Sequence, residues 1–206
     1  MTPTHSVHFF DKKFQQQAKA GDFHLNPFET VTLNYLQGRV LDFGCGMGNL
    51  SFAAARRGCS VWALDASPAA IQHIQQRARD ERLPVYAELA DLRNYGLDGE
   101  FDAVVSIGLL MFFDCPTALA TLEKLKSHVR EGGIAAINVL IEGTTYLDMF
   151  DPDSHCLFSR IEIESRFADW TILYSAFSDF AAPEGRNKAF ATVIAQKPCI
   201  PPKELA

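Results

Sequence analysis

Val40-Leu41-Asp42-Phe43-Gly44-Cys45-Gly46-Met47-Gly48-Asn49 decides the fold of this 206-residue chain. An apolar run ends in an acid, three glycines follow at every second position, and a helical pattern begins. Arg39 to Phe43 reads as a buried strand. Gly44 and Gly46 let the backbone turn sharply and leave room for a ligand against the main chain. Asn49 to Arg57 reads as a helix stopped by Gly58. Strand, glycine turn and helix in this order imply a cofactor that carries a nucleoside.

The spacing narrows the cofactor. The dinucleotide fingerprint is G-x-G-x-x-G; here the third glycine comes one position early and Asn49 stands in its place. Asp42 at the strand end repels a pyrophosphate and suits a cation. S-adenosylmethionine has an ammonium, a sulfonium and no phosphate. Asp42-x-Gly44-x-Gly46-x-Gly48 resembles motif I of the class I methyltransferases. A second apolar run, Ser60 to Leu64, ends in Asp65, about 20 residues past the glycine turn, where such folds place a ribose-binding carboxylate. Ala66-Ser67-Pro68 follows, with Ser67 as a helix cap and Pro68 in the first turn. A third strand, Pro84 to Leu89, leads to Ala90-Asp91-Leu92; the resemblance puts Asp91 against the adenine, and an exposed loop acid is the alternative. A fourth strand, Phe101 to Ile107, contains Ser106 and leaves through Gly108 to Phe113, a loop expected beside the sulfonium. That loop has none of the Asn/Asp-Pro-Pro-Tyr residues with which nucleic-acid amino-methyltransferases grip a base; Leu109, Leu110 and Met111 read equally as core. The resemblance thus assigns Asp42, Phe43, Gly44, Cys45, Gly46, Gly48, Asp65, Ala66, Ser67, Asp91, Leu92, Ser106, Gly108 and Phe112 to S-adenosyl-L-methionine, with S-adenosyl-L-homocysteine as product.

Around this motif the chain alternates. Helical segments are expected over Asp11 to Ala20 and Pro27 to Leu36, then strand and helix in turn from Arg39 to Leu140, including helices Pro68 to Arg82 and Pro116 to Val129 and a fifth strand from Ile134. Trp170 to Phe177 and Ala189 to Ala195 read as strands joined by a polar linker, hence an antiparallel hairpin. The expectation is an α/β fold: a doubly wound, Rossmann-like, seven-stranded, mostly parallel sheet closed by a C-terminal antiparallel hairpin. One domain over residues 1–206 divides into a helical cap (1–37), a cofactor-binding core (38–140), a substrate-side insertion (141–169) and the closing hairpin (170–197).

Composition sets bounds. Hydrophobic residues make up 48% and charged residues 21%, as in globular proteins. No apolar run approaches the roughly 18 residues of a membrane span. Met1 to His8 lacks the pattern of a secretory signal. A net charge of -6 argues against a surface that tracks phosphates, so no nucleic-acid partner is expected. Five scattered cysteines suggest neither a disulfide framework nor a metal site, which fits a reducing cytoplasm. His5-x-x-His8 falls in a segment expected to fray, and no metal is expected there. The protein is expected as a monomer or homodimer.

Val40 to Lys197 resembles the small methyltransferases of the tellurite-resistance family. The residues that carry this are Leu41 to Gly46, Asp65-Ala66-Ser67, Ala90-Asp91-Leu92, Leu109 to Phe112, Gly132-Gly133, Phe158 to Trp170 and Ala189 to Lys197. The resemblance implies methyl transfer to a small molecule, with tellurium and selenium oxyanions the named case. One departure matters. Family members tend to carry a His-Arg pair before the last strand, whereas Ser178 to Lys188 offers Arg186 and Lys188 but no His. A thiol is a second acceptor class, and a phenol or quinone-like compound, an amine, a protein side chain or a non-catalytic binding role stay open. On the acceptor side, His155 is either a general base or a solvated loop histidine. Arg186 either holds an anion through its fork of donors or is a solvated turn residue. Phe10 and Phe14 form either a lid or a docking stripe, and Tyr146 and Phe158 stand in the insertion.

Overall fold

The computed structural model describes residues 5–151 and 154–199. Seven strands make one sheet: β1 (Arg39–Phe43), β2 (Ser60–Asp65), β3 (Val85–Leu89), β4 (Phe101–Ile107), β5 (Val129–Leu140), β6 (Thr171–Ala181) and β7 (Asn187–Gln196). Their order is β3-β2-β1-β4-β5-β7-β6. The first five run parallel, and β7 pairs antiparallel with both β5 and β6. Six helices accompany them among the described residues: α1 (His5–Ala20), α2 (Pro27–Thr32), α3 (Asn49–Arg56), α4 (Pro68–Glu81), α5 (Cys115–Ser127) and α6 (Arg160–Ser165).

Local chemistry sets the boundaries. Ser67 caps α4 by accepting from the Ala70 amide, Asp114 caps α5 through the Thr117 amide, and prolines stand in both first turns. Asn26 and Glu29 close a reciprocal capping box on α2. Strand alternation then divides the core. Leu41, Phe43 and Val104 face one hydrophobic layer, while Val40, Ala103 and Val105 face the other. Asp42 has the parity of Val40, and this decides where its carboxylate goes.

Several expectations need correction. No helix joins β3 to β4: residues 90–100 form turns and irregular chain. β5 starts at Val129 rather than Ile134. Gly132 adopts φ +70° and Gly133 has no room for a Cβ, so the chain bulges and stays in the sheet. The expected α1 began at Asp11, yet the helix begins at His5. Its first turn is tied down, since the His5 amide donates to Asp151 and the Ser6 hydroxyl to the Met149 carbonyl. Met1 to Thr4 lie outside the described residues.

The cysteine reading also fails. Cys115 and Cys156, 41 residues apart, form a disulfide. The insertion runs back along the loop after β4, where the Cys156 amide donates to the Met111 carbonyl at 3.0 Å. That crossing brings the two thiols together, and no spacing in the sequence announces it. The cysteines therefore give no argument for a reducing compartment. Closing a loop of this length is worth roughly 2–4 kcal/mol. Cys156→Ser is accordingly expected to lose stability of that order in urea melts without reductant; an unchanged midpoint would show that the bridge is not formed in solution.

Candidate active site

The strand order reverses between β1 and β4, and a crevice opens there at the carboxyl ends of the strands. Its floor is the glycine turn. Gly44 lies at φ +87°, and a Cβ there would stand 2.9 Å from the Leu109 side chain. The Gly44 and Cys45 amides donate to the Leu64 carbonyl, at 2.8 and 3.0 Å. The Gly46 amide donates to Asp65 Oδ2 and the Ser67 amide to Asp65 Oδ1, each at 2.8 Å. Asp65 thus clasps the turn after β1 to the start of α4.

Asp42 is the buried acid of the crevice, 5% exposed. Its Oδ2 accepts from the Ser51 hydroxyl at 2.6 Å. Burial pushes its pKa up to about 7, against the Ser51 bond and with help from the charges of Glu29 and Asp65. Burial also raises Asp65 and Glu29, each opposed by backbone hydrogen bonds. Three carboxylates around one crevice make a field for a cation. Between the ordinary value of 3.8 and about 7, folded Asp42 holds a proton that the unfolded chain has released. Its contribution to stability is therefore full below about pH 4 and falls as pH rises towards 7. A cationic ligand needs the ionised form, so affinity for S-adenosylmethionine should rise between pH 6 and 8. Calorimetry should find that slope flattened in Asp42→Asn; an equal slope in both proteins would remove Asp42 from the account.

The crevice is a cavity of about 860 Å³, at the upper end of small-molecule sites. Of the residues expected to contact the cofactor, Asp42, Gly44, Cys45, Gly46, Asp65, Ala66, Ser67, Asp91, Leu92, Gly108 and Phe112 line it. Asp91 follows β3 and accepts from the Arg93 amide at 3.2 Å. Helix α1 forms the roof. Phe14 comes within 3.2 Å of where a Gly46 Cβ would be, and Phe10 meets Phe112 edge-on at 5.1 Å. Asp11 accepts from the Ser67 hydroxyl and the Ala69 amide, pinning the roof to α4. Phe10 and Phe14 therefore cover the cavity and dock the helix at once.

Three expected cofactor residues stand elsewhere. Phe43 and Ser106 have the opposite parity to Asp42 and Ile107 and point to the other face of the sheet. Gly48 opens α3 at φ +74°, where a Cβ would stand 2.9 Å from Ile74, so it serves close helix packing. Three acceptor-side expectations also change. His155 does not line the cavity; its ring stacks on Phe150 at 4.9 Å. Phe158 is fully buried in the core beside Ile141. Arg186 is off the wall, and its fork is taken: its two terminal nitrogens bond both Asp148 oxygens, at 2.5 and 2.9 Å. That contact holds Asp148 below the usual carboxylate range.

Tyr146 does line the cavity, with Lys13, Asn138, Lys188 and Phe190, which had not been placed there. Lys188 Nζ lies 4.5 Å from the centre of the Tyr146 ring. Asn138 was visible in sequence as a polar residue in the middle of an apolar strand.

Comparison with known proteins agrees with this geometry. A family model described as a methyltransferase domain matches residues 40–133. Hemagglutinin 1 of Eikenella corrodens is 26% identical over 94% of this chain and 70% of its own length. TehB of Haemophilus influenzae, described as a probable S-adenosyl-L-methionine-dependent methyltransferase, is 24% identical over 80% of this chain, which spans only 55% of TehB. The TehB crystal structure superposes with a TM-score of 0.74 at 20% identity, over 88% of this chain and 65% of that one. Coclaurine N-methyltransferase, solved with N-methylheliamine and S-adenosylhomocysteine, superposes with a TM-score of 0.65 at 16% identity, over 82% of this chain and 70% of that one. No helix among the described residues is long and apolar enough to cross a membrane. Over residues 40–133 the chain matches a methyltransferase domain, and its seven-stranded sheet is similar to that of TehB.

Proposed function

We propose that this protein transfers the methyl group of S-adenosylmethionine to a small-molecule acceptor. The observation that carries the reading is the buried Asp42 carboxylate beside the Gly44-Cys45-Gly46 turn, whose two glycines leave main chain open to a ligand, with Asp65 clasping it. Asp42 is suited to the cofactor's cationic end and Asp65 to its ribose hydroxyls, while Asp91 and Leu92 stand where the adenine is expected. The bound cofactor supplies a methyl already activated by its sulfonium. The chain then has two tasks, to hold two molecules in line and to keep water out; good alignment is worth up to roughly 7–11 kcal/mol. Phe10, Phe14 and Phe112 serve the second task by closing the roof.

The resemblance to the tellurite-resistance methyltransferases favours a tellurium or selenium oxyanion as acceptor, and a thiol is the second class. The missing His and the engaged Arg186 weigh against the oxyanion. A phenol or amine gains support from the aromatic walls. The test is methyl transfer from labelled cofactor to tellurite, selenite, thiols, phenols and amines. Label in one acceptor class supports the proposal. Tight cofactor binding with no transfer to any of them would favour a non-catalytic role.

A further inference from the structure

The half of the cavity away from the glycine turn holds two polar features that the cofactor reading does not use. The first is Asn138, 1% exposed. Its amide nitrogen donates to Thr192 Oγ1 at 2.9 Å, its side-chain oxygen is buried without a partner, and the residue lines the cavity. It sits opposite Ile107 in the β4–β5 ladder, and the next amide, that of Gly108, donates to its carbonyl at 2.9 Å. Asn138 therefore stands beside the loop expected to flank the sulfonium. A buried acceptor without a donor is left without compensation for its lost hydration, so a ligand that donates there is favoured.

The second is Lys188. Among the described residues it forms no ion pair, although Arg186 two positions earlier is paired with Asp148. Burial and nearby Lys13 both disfavour its charge, as in a site that awaits an anion. Both features belong to one strand face. Lys188, Phe190 and Thr192 alternate along β7 on the side of Ile194, and Thr192 pairs with Asn138. Lys188 and Thr192 are four residues apart, roughly 13 Å at about 3.3 Å per residue. Phe190 lies between them, and Phe28 packs on it at 4.9 Å.

We infer that the methyl acceptor is an elongated aromatic amine or phenol with a carboxylate at its far end. Asn138 accepts from the N–H or O–H at the reacting end, Phe190 supports the ring, and Lys188 holds the carboxylate. The inference rests on the proposed methyl transfer. In that transfer the acceptor nitrogen or oxygen bonds the methyl carbon as the sulfur–carbon bond breaks, the electron pair of that bond stays on sulfur, and the acceptor's proton is lost to bulk water as the products leave the site. Asn138 and Lys188 position the acceptor; neither takes the proton.

The experiment uses 4-aminobenzoate and 4-hydroxycinnamate, each beside its methyl ester, with the full chain. Affinity is measured by calorimetry on protein loaded with S-adenosylhomocysteine, and transfer with labelled cofactor. At least one acid should bind and be methylated at least tenfold better than its ester. Lys188→Ala should raise the KM of that acid tenfold or more and leave its ester and the cofactor affinity unchanged, and Lys188→Arg should recover part. Asn138→Ala should lower kcat/KM for acid and ester alike. Acids that bind no better than their esters, or a Lys188→Ala that treats both equally, overturn the inference. So does loaded protein that binds neither acid. Failure to bind S-adenosylhomocysteine would instead strike the proposed function itself.

Discussion

Gly44→Ala should abolish useful cofactor affinity, with a loss of at least tenfold for S-adenosylhomocysteine. Two separate costs meet at this position. An alanine at φ +87° is in a region that L residues avoid, worth about 1–3 kcal/mol. Its Cβ would also stand 2.9 Å from Leu109 Cβ, so the loop after β4 must move, and that loop forms a wall of the cavity. Gly58→Ala separates the two costs. Gly58 has φ +93° but nothing within 4 Å, so its alanine has the backbone strain without the clash. Both variants should melt earlier, and only Gly44→Ala should lose the cofactor. Parent-like affinity in a folded Gly44→Ala would mean that the turn does not hold the ligand.

Asp65→Ala should cost at least the roughly 1.5–3 kcal/mol of charge-assisted hydrogen bonds in cofactor binding, or about tenfold and more in Kd. Its effect on the empty protein should be small because two terms oppose. The variant loses the bonds from the Gly46 and Ser67 amides, but it also removes a carboxylate that burial disfavours. Asp65→Asn keeps an acceptor for one amide and should hold the turn better than alanine, while still losing affinity. Equal affinity in all three proteins would end the assignment of Asp65 to the ribose.

The glycine turn, its two acids and the parallel order were legible because each rests on local rules: an apolar run, a special backbone angle, a helix cap. The roof was partly legible, since Phe10 and Phe14 stand at helical spacing. The misplacements have two origins, strand parity and tertiary register. Phe43 and Ser106 fall within the stretches that carry the resemblance, but strand alternation sends their side chains to the face opposite Asp42 and Ile107. Arg186 was chosen for its chemistry, and only tertiary structure sets it against Asp148. The pairing of Cys115 with Cys156, and the meeting of Asn138 with Lys188 through β7, depend on register between distant segments. No local pattern encodes such register.

The proposed function requires a crevice that takes a sulfonium nucleoside and rejects a dinucleotide. Calorimetric titration of the full chain with S-adenosylmethionine, S-adenosylhomocysteine and NAD, at one pH near 8, tests it most directly. Saturable binding of the first two with no heat from NAD is the expected result. Binding of NAD without either sulfur nucleoside would contradict the account.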